Sequence, residues 1–187
     1  LPASFIGMLL AFQSRLLSFD YSLEVICNSK QESNAQVYYD IGYGYNERHS
    51  ITLKIEESNK STPLYFQLPA LKINKLRFDP LNNNGMIEIE KISIKQKRSG
   101  DQKAYTVKEF SFVDLLPNEE LKLIENKKGT IFAKSAESSR DPTLELHLNR
   151  PLNHWNFKDY FDNEWIKKSV FFTFLMIPVA ISLSIRE

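Results

Sequence analysis

The segment that decides the fold runs from Lys75 to Ile94, with the sequence KLRFDPLNNNGMIEIEKISI. Leu76 and Phe78 alternate with charged residues, and a second alternating run, rich in isoleucine, follows the break at residues 80–85. Because strand side chains point alternately to opposite faces, each run would place its apolar residues on one side of a sheet. The break is rich in Asp, Pro, Asn and Gly, which are turn residues, so the segment predicts a β-hairpin.

The rest of the central chain repeats this pattern. In the second run the alternation slips by one residue at Glu90 and Lys91, which predicts a β-bulge. About nine strands, at spacings of roughly 10–15 residues, are predicted between residues 21 and 150, and their polar outer positions favour antiparallel sheets around a shared core. The predicted fold is therefore mainly β, an antiparallel two-sheet sandwich with one short helix. The helix is predicted at residues 117–124, where a proline and two acids suit a helix start. The remaining strands are predicted at residues 23–27, 36–41, 51–55, 64–68, 105–107 (with an extension to Phe110 and Phe112 as the alternative), 131–134 and 144–148.

The composition is that of an ordinary globular domain. The chain has 187 residues, of which 42% are hydrophobic and 25% charged, and its formal net charge is +1. Lysines are interspersed with glutamates, so no basic surface for nucleic acid is predicted. The single cysteine, Cys27, lies in an apolar run and is predicted to be a small buried side chain, since it cannot form an internal disulfide. The three histidines have no metal-ligand spacing, and neither a metal nor another cofactor is predicted.

Both ends of the chain are more apolar than its centre. Residues 1–20 contain apolar side chains at helical spacing, which predict the stump of a transmembrane helix or a helix at the bilayer interface; a core-facing helix is the alternative. Aromatic and charged residues mixed at 151–168 favour an amphipathic linker at a membrane surface. Residues 169–187 predict a transmembrane helix, with a buried terminal strand or core helix as the alternative. Because the first residue is Leu1, we expect the chain to be part of a longer protein.

Two motifs in the central region resemble a known kind of domain. They are VYYDIGYGYNE from Val37 to Glu47 and LRFDPL from Leu76 to Leu81, followed by Gly85 and a strand. This region resembles the extracytoplasmic β-sandwich domains of bacterial envelope membrane proteins, such as polytopic membrane glycosyltransferases. The resemblance covers about residues 21–96. It implies a jelly-roll fold, related in shape to carbohydrate-binding modules, outside the cytoplasmic membrane, although the few basic residues around the predicted span would by themselves place the domain inside.

The same region combines residue types that bind sugars. Tyrosine rings pack on the apolar face of a pyranose, and carboxylates and amides bond to its hydroxyls. The structural alternative is a capped turn with tyrosines covering the end of the sandwich, and an ion pair between two side chains on one strand face. Calcium bound by the Asp and Asn oxygens after the strand is less favoured than a plain turn. The candidate ligand-binding residues are Asp40, Tyr43, Tyr45, Asn46, Glu47, Arg77 and Asp79, the last two forming the expected ion pair.

No catalytic motif accompanies these residues. Asp40 and Glu47 are the acids in an aromatic setting that a glycosidase pair would need, and nothing else marks them as catalytic. We expect a non-catalytic extracytoplasmic domain of a bacterial cytoplasmic membrane protein in polysaccharide assembly. Its expected partners are a saccharide or glycan-lipid, the membrane, and other transmembrane segments of the same protein. The alternatives are a structural spacer without sugar binding and a part of a membrane glycosyltransferase.

Overall fold

The computed structural model describes residues 19–82, 84–98, 101–136 and 139–154. They belong to one compact unit, Phe19–His154. Two short 3-10 turns, Glu47–His49 and Phe112–Asp114, interrupt its strands. The strands in the described residues are β1 (Phe19–Ser29), β2 (Ser33–Asp40), β3 (Ser50–Ile55), β4 (Thr62–Gln67), β5 (Lys75–Asp79), β6 (Met86–Arg98), β7 (Tyr105–Glu109), β8 (Leu115–Pro117), β9 (Leu121–Glu125), β10 (Ile131–Ser135) and β11 (Leu144–Leu146).

The strands form two antiparallel sheets. The first sheet has the order β4-β1-β6-β10-β9, with β7 also paired to β6, and the second has the order β3-β2-β5-β11-β8. Apolar side chains from both sheets form one core, so the predicted mainly β, two-sheet arrangement is confirmed. The largest fully buried side chains are Phe66, Phe78, Leu23, Ile73, Leu76, Leu81, Ile87, Ile89, Ile92, Ile94, Leu144 and Leu146.

The long pairing of β1 with β6 contains the predicted bulge. Ile26 pairs with Lys91 but Cys27 pairs with Ile89, so Glu90 is the additional residue on β6. The extra residue shifts the alternation, which keeps apolar side chains of β6 in the core on both sides of the slip. Cys27 is buried, and burial raises the pKa of its thiol to about 12. Such a thiol is unreactive at neutral pH, which agrees with the predicted structural role.

The predicted β-hairpin is wrong, although both of its runs are strands. β5 belongs to the second sheet and β6 to the first, so the chain crosses between the sheets where a turn was expected. The crossing segment bonds to a strand of each sheet: Asn82 Oδ1 accepts from Ser33 Oγ on β2, and the Gly85 N–H donates to Ser135 Oγ on β10. Leu81, in the middle of the segment, is buried in the core. A tight turn would leave this apolar side chain in solvent, which favours the crossing.

The helix predicted at residues 117–124 is also wrong. Pro117 ends β8, and Leu121–Glu125 forms β9, which pairs with β10. Between the strands, the Asn118 carboxamide accepts a hydrogen bond from the Glu120 N–H, so a local turn forms in place of the first helical turn. A helix of this length is marginal by itself, whereas pairing with β10 supplies partners for the backbone groups of β9.

The membrane-associated segments predicted at the two ends of the chain lie outside the described residues, apart from their inner margins. Phe19 and Asp20 begin β1, and Leu152 forms an isolated bridge with Ile73. In the part of the chain that the structure describes, no helix combines the length and apolar character needed to cross a bilayer. The predicted segments at the chain ends are a helix at 1–20, a linker at 151–168 and a helix at 169–187.

Candidate ligand-binding site

Most of the predicted site residues lie on or beside the outer face of the second sheet. β2 and β5 place Tyr38 opposite Arg77 and Gln36 opposite Asp79, while the residues between them face the core. On the other side of β5, Glu145 of β11 lies opposite Arg77. The two-residue period of the strands thus gathers polar and aromatic side chains on one surface.

Arg77 lies at the centre of this surface. Its Nη2 donates to Asp79 Oδ2 at 2.7 Å, which confirms the predicted ion pair. The guanidinium carbon lies 4.2 Å from the centroid of the Tyr38 ring and 5.5 Å from that of Tyr45, and Nη2 is 3.9 Å from Asp141 Oδ1. A planar guanidinium can stack on aromatic rings while it bonds to a carboxylate, so these neighbours hold Arg77 in one position.

Asp79 is buried beside Arg77 and retains unused hydrogen-bonding capacity. Burial raises the pKa of its carboxyl to about 6, although the hydrogen bond from Arg77 acts in the opposite direction. Asp79 Oδ1 has no hydrogen-bond partner among the described residues, and neither has Arg77 Nε or the Tyr45 hydroxyl. Burial also raises the pKa of Tyr45. Because an unsatisfied buried polar group is costly, these three atoms make the cluster less stable than a fully bonded one would be.

Asp40 organises the loop that follows β2. Its Oδ1 accepts hydrogen bonds from the backbone N–H groups of Gly42 at 2.6 Å and Gly44 at 2.9 Å. These bonds, that of Gly42 above all, lower the pKa of the Asp40 carboxyl. Gly42 and Gly44 have φ angles of +115° and +80°, a region that side chains disfavour, so this loop path depends on glycine. Asp40 therefore caps the loop.

Asn46 and Glu47 attach the same loop to the sheet. Asn46 Oδ1 accepts from the Arg48 N–H and caps the 3-10 turn. Glu47 Oε1 accepts from the Tyr38 hydroxyl at 2.5 Å, and Oε2 accepts from Gln36 Nε2 at 3.1 Å. The bond from Tyr38 is the main cause of the lowered pKa of Glu47. The loop is therefore held over the Tyr38 and Arg77 pair by charge-assisted bonds.

A polar groove of about 160 Å³ opens beside this cluster. Side chains of β2, β5 and the sheet-crossing segment form one wall, and the loop before β11 forms the other. The lining contains two carboxylates, three amides, one phenol and one guanidinium, with two apolar residues. The lining residues are Asn34, Gln36, Tyr38, Asp79, Leu81, Asn82, Arg140, Asp141 and Pro142.

Two side chains from the turn after β8 position the second wall. Glu120 Oε2 accepts hydrogen bonds from the backbone N–H groups of Arg140 and Asp141, at 2.6 and 2.8 Å. Asn118 donates to the Asp141 carbonyl at 2.7 Å and accepts from the Thr143 N–H at 3.1 Å. Several bonds from one short turn thus fix the wall without any ligand, which lowers the entropic cost of binding.

Tyr43 lies beside the groove and does not line it. Its side chain is 87% exposed, and it borders a second, open depression of about 560 Å³. Glu47 links the two cavities, since it lines the depression and accepts hydrogen bonds from two groove residues. The depression is lined by Tyr43, Asn46, Glu47, Arg48 and His49.

The sequence-predicted residues divide into two groups. Tyr45 and Asp79 contact Arg77, and Arg77 and Glu47 contact Tyr38. Asp40 and Asn46 shape the loop, and Tyr43 lies at its exposed tip. Sequence reasoning missed Gln36 and Tyr38. The two-residue period of a strand places both on the same face as Asp40, so this period could have predicted them as site residues. Sequence reasoning also missed Arg140 and Asp141, which come from a distant loop without a local pattern.

Metal binding and acid catalysis find little support in these groups. No cluster of three acidic, histidine or cysteine side chains suited to a metal occurs among the described residues. Asn82 Oδ1 already accepts from Ser33, and Asp79 is paired with Arg77. The lowered pKa values of Asp40 and Glu47 keep both carboxyls ionised at neutral pH, which is unsuitable for the acid of a glycosidase pair.

Comparisons with protein families, characterised proteins and solved structures found no match for this chain. The features on which a functional argument can rest are therefore those of the fold and the groove. They define a two-sheet antiparallel β domain with a polar, preformed groove on the outer face of one sheet.

Proposed function

We propose that this domain is a non-catalytic saccharide-binding module, with the groove on the second sheet as its binding site. The observation that carries the proposal is the groove lining, in which carboxylates, amides and a phenol surround about 160 Å³ of space. Pockets for drug-sized ligands have about 300–1,000 Å³, so this groove suits a smaller polar unit such as a single sugar ring.

The groove offers what sugar hydroxyls need. A hydroxyl both donates and accepts hydrogen bonds, and so requires partners of both kinds. Asp79 and Asp141 supply acceptors, and the Asn34 and Asn82 amides lie on the same lining. The exposed Tyr43 ring beside the groove would supply an apolar face for a neighbouring sugar ring.

The module is proposed to bind and not to cleave. The carboxyls that face the loop, Asp40 and Glu47, are committed to hydrogen bonds that keep them ionised. Asp79, whose pKa is raised, is paired with Arg77 at 2.7 Å. A general acid must pass its proton to the leaving group, for which a carboxyl held by a guanidinium is unsuitable.

We extend the proposal to a setting in the bacterial cell envelope. The motifs at 37–47 and 76–81 resemble extracytoplasmic domains of envelope membrane proteins, and the apolar chain ends would anchor the domain to the cytoplasmic membrane. The two sheets would then form a jelly roll of the carbohydrate-binding type. The partners would be a saccharide or glycan-lipid and other transmembrane segments of the same protein, which on this proposal assembles polysaccharide and in one version is a glycosyltransferase.

A glycan array probed with the full chain, in a detergent without a sugar headgroup, tests the proposal. We expect saturable binding of at least one oligosaccharide, and Asp79→Asn and Tyr43→Ala should each weaken it about tenfold, the equivalent of about 1.4 kcal/mol. Tyr105→Ala is the matched control, because Tyr105 is 63% exposed but lies on β7 of the first sheet.

Two results would overturn the proposal. The first is the absence of saturable binding to any glycan, which would favour a structural spacer. The contacts of Arg77 with Asp79, Tyr38 and Tyr45 are the observation that suits that function. The second is binding that Tyr105→Ala weakens as strongly as Asp79→Asn does, because the site would then lie elsewhere.

A further inference from the structure

The charges around the groove are unequal. Two carboxylates, Asp79 and Asp141, and one guanidinium, Arg140, belong to its lining. Glu47 adds a further carboxylate next to the lining through its bonds to Tyr38 and Gln36. Negative charge therefore exceeds positive charge where a ligand would enter.

Arg77 does not reverse this balance, because it is already engaged. It donates to Asp79 at 2.7 Å and its plane covers the Tyr38 ring at 4.2 Å. Its side chain is 21% exposed, and it is not one of the groove-lining residues. A ligand carboxylate that took the place of Asp79 on Arg77 Nη2 would leave a buried carboxyl without its cation.

Arg140 is the cation among the described lining residues, and Asp141 directly follows it in the wall. Glu120 holds the backbone of both residues, so the wall presents the two opposite charges side by side. An acidic ligand drawn to Arg140 would meet the Asp141 carboxylate, with Asp79 across the groove. Like charges repel each other, and the repulsion is stronger near a low-dielectric protein wall than in water.

We infer that the groove selects a non-acidic sugar unit that donates hydrogen bonds to Asp79, and rejects units bearing a carboxylate or phosphate. The inference rests on the proposed saccharide-binding function and specifies its ligand class. The donor is a hydroxyl of a neutral sugar or the ammonium of an amino sugar, because each can donate to the lining carboxylates without adding negative charge.

Isothermal titration of the full chain with three hexasaccharides tests the inference. Cellohexaose, the β-1,4-linked glucosamine hexamer and the β-1,4-linked glucuronate hexamer share one linkage and differ in charge. We expect the glucuronate hexamer to bind at least about tenfold more weakly than the better of the other two, and the gap to narrow with added salt. The ranking of the other two shows whether the donor is a hydroxyl or an ammonium.

The exposed residue Asp141 supplies the variant for this test. Asp141→Asn removes one repelling charge and keeps the size of the side chain, so it should lower the ratio of cellohexaose affinity to glucuronate affinity. Tighter binding of the glucuronate hexamer, or unchanged discrimination in Asp141→Asn, would overturn the inference and leave the proposed function standing. Failure of all three hexamers and of every array glycan to bind would overturn both.

Discussion

Asp79 lies 2.7 Å from the Arg77 guanidinium, yet burial raises its pKa to about 6. The two observations agree, because one neighbouring cation does not offset both desolvation and the nearby carboxylates of Asp141 and Glu47. The ion pair is therefore poor grounds for expecting stability, since removal of both charges from water consumes most of their attraction. On the proposed function, this carboxyl is one of the acceptors of the groove.

The pH dependence of folding tests the state of Asp79. Its folded-state pKa, about 6, is above its ordinary value of 3.8, so the folded chain binds the proton more tightly and stability falls as pH rises through this window. At about 1.4 kcal/mol per pKa unit, we expect the free energy of unfolding to drop by roughly 1–3 kcal/mol between pH 4 and pH 7 through this residue.

Asp79→Asn is the control for that measurement, because it removes the titration and keeps the size of the side chain. Urea denaturation of both proteins at pH 4.5 and pH 7 gives the comparison. The stability of the native chain minus that of the variant should be larger at pH 4.5. A difference that is constant, or larger at pH 7, would show that the Asp79 pKa is not raised.

The Asp40 cap gives a second prediction for a single residue. Asp40→Ala removes the acceptor of two backbone N–H groups in the loop, and hydrogen bonds to a charged group contribute about 1.5–3 kcal/mol each to stability. We expect a loss of about 1–3 kcal/mol in the free energy of unfolding, because water replaces part of these bonds. Asp20→Ala, an exposed change on β1, should stay within about 0.5 kcal/mol. Equal effects of the two substitutions would contradict the cap.

For single residues, the sequence predicts those contacts that depend on strand periodicity or on a local turn. The Arg77 and Asp79 pair follows from their spacing of two, and the Asp40 turn follows from the glycines behind it. Arg140 and Asp141 could not be predicted in the same way. They reach the groove because Glu120 binds their backbone, a contact between two loops that no local pattern records.

Among the elements, the crossing between β5 and β6 has the largest effect on the fold. It places Phe78 of β5 against Phe66 of β4 in the opposite sheet, with ring centroids 6.0 Å apart in an edge-to-face arrangement. If β5 formed a hairpin with β6, it would lie three strands from β4 in one sheet, a separation of about 14 Å. The two rings then could not touch.

A double-mutant cycle with Phe66→Leu and Phe78→Leu tests the crossing. Edge-to-face aromatic pairs contribute about 0.5–1.5 kcal/mol beyond burial, so we expect a coupling energy in that range from urea denaturation. Phe78→Leu combined with Tyr105→Leu is the control cycle, since Tyr105 is exposed on β7, and its coupling should be close to zero. Zero coupling between Phe66 and Phe78 would contradict the placement of β5.

The elements show where sequence reasoning succeeds and where it fails. Strand positions were predicted well, because alternation is a local property, and the β6 bulge was predicted from its slip. The pairing partner of each strand was not predicted well, because Asp, Pro, Asn and Gly end a strand equally well at a tight turn or at a crossing between sheets. The helix predicted at 117–124 was wrong because the pairing of β9 with β10 outweighs a local helical preference.

For the whole molecule, the two-sheet fold follows from the sequence and the biological role does not. Patterning of apolar residues specifies the class of fold, but many unrelated functions occur on one fold. The proposed saccharide site is a groove whose two walls come from separate parts of the chain.

The most direct test of saccharide binding is a chemical-shift titration of the isotope-labelled full chain with the glycan that binds best on the array. We expect the largest shifts at the backbone amides of groove residues, and we expect these shifts to saturate together. The residues are Asn34, Gln36, Asp79, Asn82 and Asp141. Shifts confined to the first sheet, or no saturable shift in the groove at glycan concentrations that saturate the array signal, would contradict it.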